Sequence, residues 1–165
     1  MTIHTTITTA GLGTVQLIAG EHGLRGLHLE AQKHFTQPPA DSVFDPTAEL
    51  FVRAAQQLEA YAAGDLREFD LPVELVGSPG RVALWEQLRL IPYGKTTTYG
   101  ALAAALGKPG MAQAVGQGVG RNPIGIVVPC HRVIGADGSL TGYAGGLARK
   151  RQLLELEGAL KPGLL

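Results

Sequence analysis

The sequence predicts two domains of different class. Residues 1–75 read as an α/β N-terminal domain, a small antiparallel sheet with one helix, and residues 76–165 as a mostly α-helical winged helix-turn-helix domain. Three observations carry this reading. The first 30 residues alternate apolar and polar side chains in short runs, whereas the second half repeats apolar side chains at helical spacing. Residues 65–80, DLREFDLPVELVGSPG, are dense in turn formers and connect the two regimes. The sign of the charge reverses there: residues 1–75 hold four Lys/Arg against ten Asp/Glu, and residues 76–165 hold ten against four.

In chain order, TIHTTITT, TVQLIAG and LRGLHLE are three short runs separated by AGLG and EHG, so a three-stranded antiparallel meander is expected. Asp45-Pro46 offers a helix start, because proline is tolerated at the first helical position. Leu50, Ala54, Leu58 and Tyr61 then share one face, and Gly64 ends the helix. Past the connecting stretch, Ser78-Pro79 is a cap followed by a first-turn proline, with Val82, Trp85 and Leu88 on one face. Thr98 caps YGALAAALG, which stops at Gly107, and MAQAVGQGVGR follows after the turn LGKPG. Two short helices joined by a glycine-bearing turn form a helix-turn-helix pattern. The second is nearly bare on one side (Ala112, Ala114, Gly116, Gly118, Gly120), although each glycine weakens a helix by about 1 kcal/mol relative to alanine. Small side chains let a backbone approach another surface closely, either a neighbouring helix or a narrow groove of DNA. IGIVVPCHRVIG reads as extended, Asp137-Gly138 as the turn of a hairpin wing between Val133-Ile134 and Ser139-Leu140, and GGLARKRQLLELEG as a closing helix with a basic patch at Arg149-Lys150-Arg151.

Composition narrows the function classes. With 165 residues, 45% of them hydrophobic and 17% charged, the chain reads as globular, with no run of membrane-spanning length. The polar start MTIHTTITTAG shows no secretory pattern, and one cysteine allows no internal disulfide, so a cytoplasmic protein is expected. His4, His22, His28 and His34 have no acidic or thiol cluster at metal-ligand spacing, and no metal or other cofactor is expected. The basic second half suggests a polyanionic partner.

The single thiol, Cys130, lies in IVVPCHRVIG between a proline and the pair His131-Arg132. A neighbouring imidazole or cation raises thiolate character, although a small buried thiol at the end of an apolar run is also common. A cysteine nucleophile needs a base and a group to orient that base. If residue 131 continues a strand, its side chain points away from the thiol, and a water bridge would be needed. The orienting acid is one of Glu86, Asp137, Glu155 and Glu157, among which spacing does not choose.

Pro129-Cys130-His131-Arg132-Val133 is identical to the signature of the O6-alkylguanine-DNA alkyltransferases, and the spaced flanks TTTYGALAAALG, QAVG, RNP and GYAGGLARKRQLLELEG match as well. The resemblance covers roughly residues 76–158; the first half fits the family's small ribonuclease H-like domain only loosely. It implies direct-reversal repair of double-stranded DNA carrying O6-alkylguanine, O4 of thymine being left open, by a monomer that is consumed in one turnover. Cys130 would be the alkyl acceptor, His131 its base through a water, Glu157 the group orienting His131, and Asn122 a brace for the active-site turn. Tyr99 would help rotate the nucleotide out and donate to guanine. Val133, Tyr143 and Ala144 would line the base pocket. Gln113, Ala114 and Arg121 would meet DNA from a recognition helix in the minor groove. Gln113 stands where the family usually has an arginine, and Ala144 where relatives often have serine. Two other readings are a lesion binder that flips the base without repairing it, and a thiol redox sensor; the latter lacks a second, resolving cysteine.

Overall fold

The computed structural model describes residues 1–30 and 37–161; His34 lies outside them. The chain divides into two compact units, Met1–Val76 with Pro123–Val127, and Gly77–Asn122 with Val128–Leu165.

In the first unit β1 (Ile3–Thr9), β2 (Gly13–Ala19) and β3 (Leu24–Leu29) form the expected meander, with Thr6 opposite Gln16 and Gln16 opposite His28. A fourth strand, β4 (Val43–Phe44), pairs parallel with β1, so the sheet runs β3-β2-β1-β4 and is mixed rather than antiparallel. Two residues carry no alternation to read, which is why β4 was invisible in the sequence. Val15, Leu17, Ala19, Leu27 and Leu29 are buried, as are Phe51, Ala54, Leu58 and Tyr61 of α1 (Glu49–Ala62). The helix begins after Ala48, not at Asp45-Pro46. The Asp45 carboxylate accepts from the Thr47 amide and hydroxyl at 3.1 and 2.9 Å, closing a local turn ahead of the helix instead of capping it. At the other end Gly64 (φ +83°) is left-handed, and the Asp65 amide reaches back to the Ala60 carbonyl, a glycine stop of the expected kind.

Two later segments dock on β3. Leu24 bridges to Val73, and Leu27 exchanges backbone hydrogen bonds with Pro123 and Gly125. The run after Pro123 is therefore not a simple strand. The Val127 amide bonds to the Gly125 carbonyl at 2.8 Å across Ile126 (φ +69°), a γ-turn of the rare positive-φ form that a β-branched residue adopts only under strain.

The second unit holds α2 (Pro79–Leu88), β5 (Thr97–Thr98), α3 (Tyr99–Ala105), α4 (Ala112–Gly120), β6 (Val133–Ile134) and α5 (Leu147–Leu156). Ser78 Oγ accepts from the Arg81 amide and Thr98 Oγ1 from the Ala101 amide, so both expected caps form. Left-handed Gly107 and Gly110 turn α3 into α4. Where a wing hairpin is expected, the Asp137-Gly138 turn forms, with the Gly135 amide bonded to the Ser139 carbonyl, but residues 139–140 are not a strand. β6 pairs parallel with β5 instead. Among the described residues no helix is long and apolar enough to cross a membrane.

Candidate active site

Cys130, His131 and Arg132 form one turn of 3₁₀ helix, not a strand, so the alternation of faces expected for adjacent residues does not apply. Pro129 (φ −82°, ψ 64°) sets up the turn: the Cys130 amide bonds to the Val128 carbonyl at 2.8 Å and the Arg132 amide to the Pro129 carbonyl at 3.1 Å. Asn122 ties the same backbone from α4's end, donating from Nδ2 to the Val128 carbonyl at 2.7 Å and hydrogen-bonding the thiol. Burial pushes the Cys130 thiol up, against the pull of that bond and of the Lys150 charge. At rest the thiol is protonated, and a base is needed to release the nucleophile.

An imidazole follows the thiol in the chain. His131 is fully buried, with Nε2 2.8 Å from Glu157 Oε2. Of the four candidate acids, the fold brings Glu157 to the imidazole, at the C-terminal cap of α5. A carboxylate at Nε2 assigns the ring proton there, which leaves Nδ1, without a hydrogen-bond partner among the described residues, as the accepting nitrogen. Burial lowers the imidazole's affinity for a second proton, Glu157 opposes this, and the Arg132 and Lys150 charges add to it.

Val133 is buried beside the turn, on β6. Tyr99 opens α3 and donates its hydroxyl to the Thr141 carbonyl at 3.0 Å. Burial raises both its phenol and, much further, that of Tyr143, and the nearby Cys130 thiolate charge would raise each more. Ala144 follows Tyr143 in the half-buried loop before α5. Gln113, Ala114 and Arg121 are not gathered into this cluster; they are exposed on α4 and at its C-terminal cap. The bare composition of α4 has an internal cause at one position. A Cβ on Gly118 would lie 2.4 Å from Leu84 Cδ2, and its carbonyl accepts from Trp85 Nε1 at 3.0 Å, so α4 is pressed against α2 there; Gly120 faces open space.

Two residues at the site carry more than their sequence context suggested. Lys150, the middle residue of the basic patch Arg149-Lys150-Arg151, is fully buried. Its Nζ donates to the carbonyls of Val133 (2.6 Å), Thr141 (2.8 Å) and Gly142 (3.4 Å) and lies 5.9 Å from the Tyr99 ring centroid. Burial lowers its pKa to about 8. The signal was available: Lys150, Leu154 and Glu157 fall at i, i+4 and i+7, on the apolar stripe of α5. Arg132 is the second, and its guanidinium forks Glu157.

Comparison with known proteins bears on this arrangement. Residues 3–75 match the family profile "6-O-methylguanine DNA methyltransferase, ribonuclease-like domain", and residues 79–159 match "6-O-methylguanine DNA methyltransferase, DNA binding domain". A methylated-DNA–protein-cysteine methyltransferase of Mycolicibacterium paratuberculosis is 46% identical over 154 residues, 93% of this chain and 92% of that one. The corresponding protein of Methanosarcina acetivorans is 45% identical over 148 residues, 90% of this chain and 94% of its own. The crystal structure of Mycobacterium tuberculosis OGT in complex with DNA superposes with a TM-score of 0.85 at 46% identity, covering 94% of this chain and 92% of that one.

Proposed function

The chain belongs to the 6-O-methylguanine DNA methyltransferase family, enzymes of DNA repair by alkyl transfer, and on that premise we propose that Cys130 is the acceptor in a single irreversible turnover on O6-alkylguanine in duplex DNA. The observation that carries the assignment is the chain's one thiol, braced by Asn122 and followed by a buried His131–Glu157 pair whose Nδ1 is free to accept a proton.

The guanine O6 atom lies inside the duplex, so the target nucleotide is rotated out of the stack, at a cost of a few kcal/mol that is least for a poorly paired damaged base. The thiol proton passes through a water to His131 Nδ1. The sulfur attacks the alkyl carbon opposite O6, the S–C bond forms as C–O6 breaks, and the electron pair stays on the purine, which takes up a proton to become guanine. Tyr99 supplies a donor to that purine. Its hydroxyl gives up the Thr141 carbonyl to do so, and Lys150 continues to satisfy that oxygen. Val133, Tyr143 and Ala144 line the pocket, and Lys150, joining β6 to the loop at 141–142, keeps its walls together. The product is a stable thioether, so each chain acts once.

Gln113, Ala114 and Arg121, exposed on and just after α4, form the surface toward the minor groove. Glutamine can fill the gap left by a flipped base but brings no charge to the phosphates. A Gln113→Arg variant is expected to repair duplex DNA severalfold faster, with little change on single strands; equal rates on duplex DNA would remove Gln113 from the interface.

The deciding experiment is intact-protein mass after exposure to excess duplex containing O6-methylguanine, beside Cys130→Ala. A gain of one methylene unit, never more than one per chain and absent in the variant, supports the reading. Tight binding with no mass gain would make the protein a lesion binder.

A further inference from the structure

The reaction described above leaves Arg132 without a part, although it is 7% exposed and every arm of its guanidinium is engaged. Nε donates to Glu157 Oε1 at 2.8 Å and Nη2 to Oε2 at 2.9 Å, a two-point fork on one carboxylate. Nη1 donates to the Ile91 carbonyl at 2.6 Å, and the group lies 5.8 Å from the ring centroid of Tyr93, whose own hydroxyl bonds to the Leu156 carbonyl. This is a cation held in one orientation.

Glu157 Oε2 therefore accepts from two donors at once, His131 Nε2 and Arg132 Nη2. In an isolated carboxylate–imidazole pair, the negative charge favours a doubly protonated ring. Here Arg132 already neutralises that charge. A proton arriving on His131 would leave the His131–Glu157–Arg132 cluster at +1 in a buried site, with the Lys150 ammonium acting in the same sense. The charged groups acting on the ring are Glu157 and Lys150, from α5 and its C-terminal cap, and Arg132 from its own turn, while the Cys130 thiol is neutral at rest. Of these only Glu157 favours imidazolium.

We propose that Arg132 is a positioning residue for methyl transfer: by forking Glu157 it holds His131 as the neutral Nε2–H ring, with Nδ1 kept open for the thiol's proton. The inference rests on the role given to His131 above. Burial and the Arg132 charge both lower the imidazole's proton affinity, which fits a base that stays unprotonated at neutral pH.

The test is the single-turnover rate of methyl transfer against pH, from the full-length protein and O6-methylguanine duplex, for wild type, Arg132→Met and Arg132→Lys. Removing the charge is expected to move the acid limb of Arg132→Met up by about one pH unit, so that transfer on that limb slows about tenfold beyond any pH-independent loss. Arg132→Lys keeps the charge and loses the fork, and its limb is expected close to that of wild type with a lower plateau. A purely structural arginine predicts slowing by one factor at every pH, which would overturn the proposal. Should Arg132→Met not fold, the ¹⁵N resonances of the wild-type His131 ring still decide. Nε2–H with bare Nδ1, persisting below pH 6.5, is expected; protonation at or above 6.5, or the Nδ1–H tautomer, overturns it. Wild type that transfers no methyl overturns the Cys130 assignment, and the difference in ring protonation between wild type and Arg132→Met then still tests the part given to Arg132.

Discussion

The two compact units bury polar groups in opposite styles. Among the described residues, the buried polar side chains of the first are Thr5, Thr9, Gln16 and His28, all uncharged once burial has lowered the His28 pKa. In the second they are Asn122 just after α4, His131 and Arg132 on the turn of the single thiol, and Lys150 and Glu157 on α5 and its C-terminal cap, three of them ionised. Buried ion pairs add little to stability, since apolar residues of similar volume often do as well or better. Charges gathered in one unit and absent from the described core of the other are the kind of group that functional sites concentrate.

The largest expected effect breaks that contrast directly. Glu157→Ala strands the Arg132 charge, and urea titration should show a loss of about 3–5 kcal/mol together with loss of methyl transfer. Leu17→Ala, fully buried in the first unit, should cost a comparable 2–5 kcal/mol while transfer per folded molecule is unchanged. Equal activity losses in both variants, corrected for folded fraction, would mean the units do not divide the work in this way.

A smaller effect separates two glycines of α4. Gly118→Ala should destabilise by about 1–3 kcal/mol, because its Cβ meets Leu84 and overpacks the α2–α4 contact. Gly120→Ala meets nothing and should gain up to about 1 kcal/mol of helix stability. Thermal melts read both. If Gly120→Ala nevertheless weakens binding to duplex DNA, the small residue there serves a close approach to the groove.

The smallest effect sharpens the comparison of the two buried imidazoles. Burial lowers the pKa of both His28 and His131 below 6.5, so as pH falls through 6.5 the unfolded chain takes up protons that the folded one refuses. Stability contributed by each neutral ring is thus complete above 6.5 and lost below it. Chemical denaturation from pH 7.5 to 5 should show this slope, with His28→Gln and His131→Gln each flattening part of it. A slope untouched by His28→Gln would mean that the first unit's histidine is not held neutral.

Local features were legible wherever a few adjacent residues decide the outcome. The meander, the Ser78 and Thr98 caps, the Gly64 stop and the helical hairpin of α3 and α4 all follow from side-chain alternation, hydroxyl caps and left-handed glycines. Reading failed where residues near or far offered the same groups another partner. Asp45 closes its own turn and leaves α1 to start at Glu49; β6 pairs with β5 and leaves no wing strand; Cys130 to Arg132 coil where a strand was expected. Lys150 sits in sequence within the basic patch Arg149-Lys150-Arg151, yet its place on the apolar stripe of α5 buries it.

The sequence by itself determined the kind of chemistry: one thiol, an adjacent imidazole and cation, a few acids in the second half, and a motif whose family the chain shares. Composition and spacing could not decide which acid meets the imidazole, where only the family resemblance pointed to Glu157, nor which nitrogen carries the proton, nor what Arg132 and Lys150 do. Those depend on the end of α5 returning, 26 residues later in the chain, to the turn at Cys130. Proton affinity inside a protein is set by the charges and the burial around a group, and tertiary structure alone brings those together.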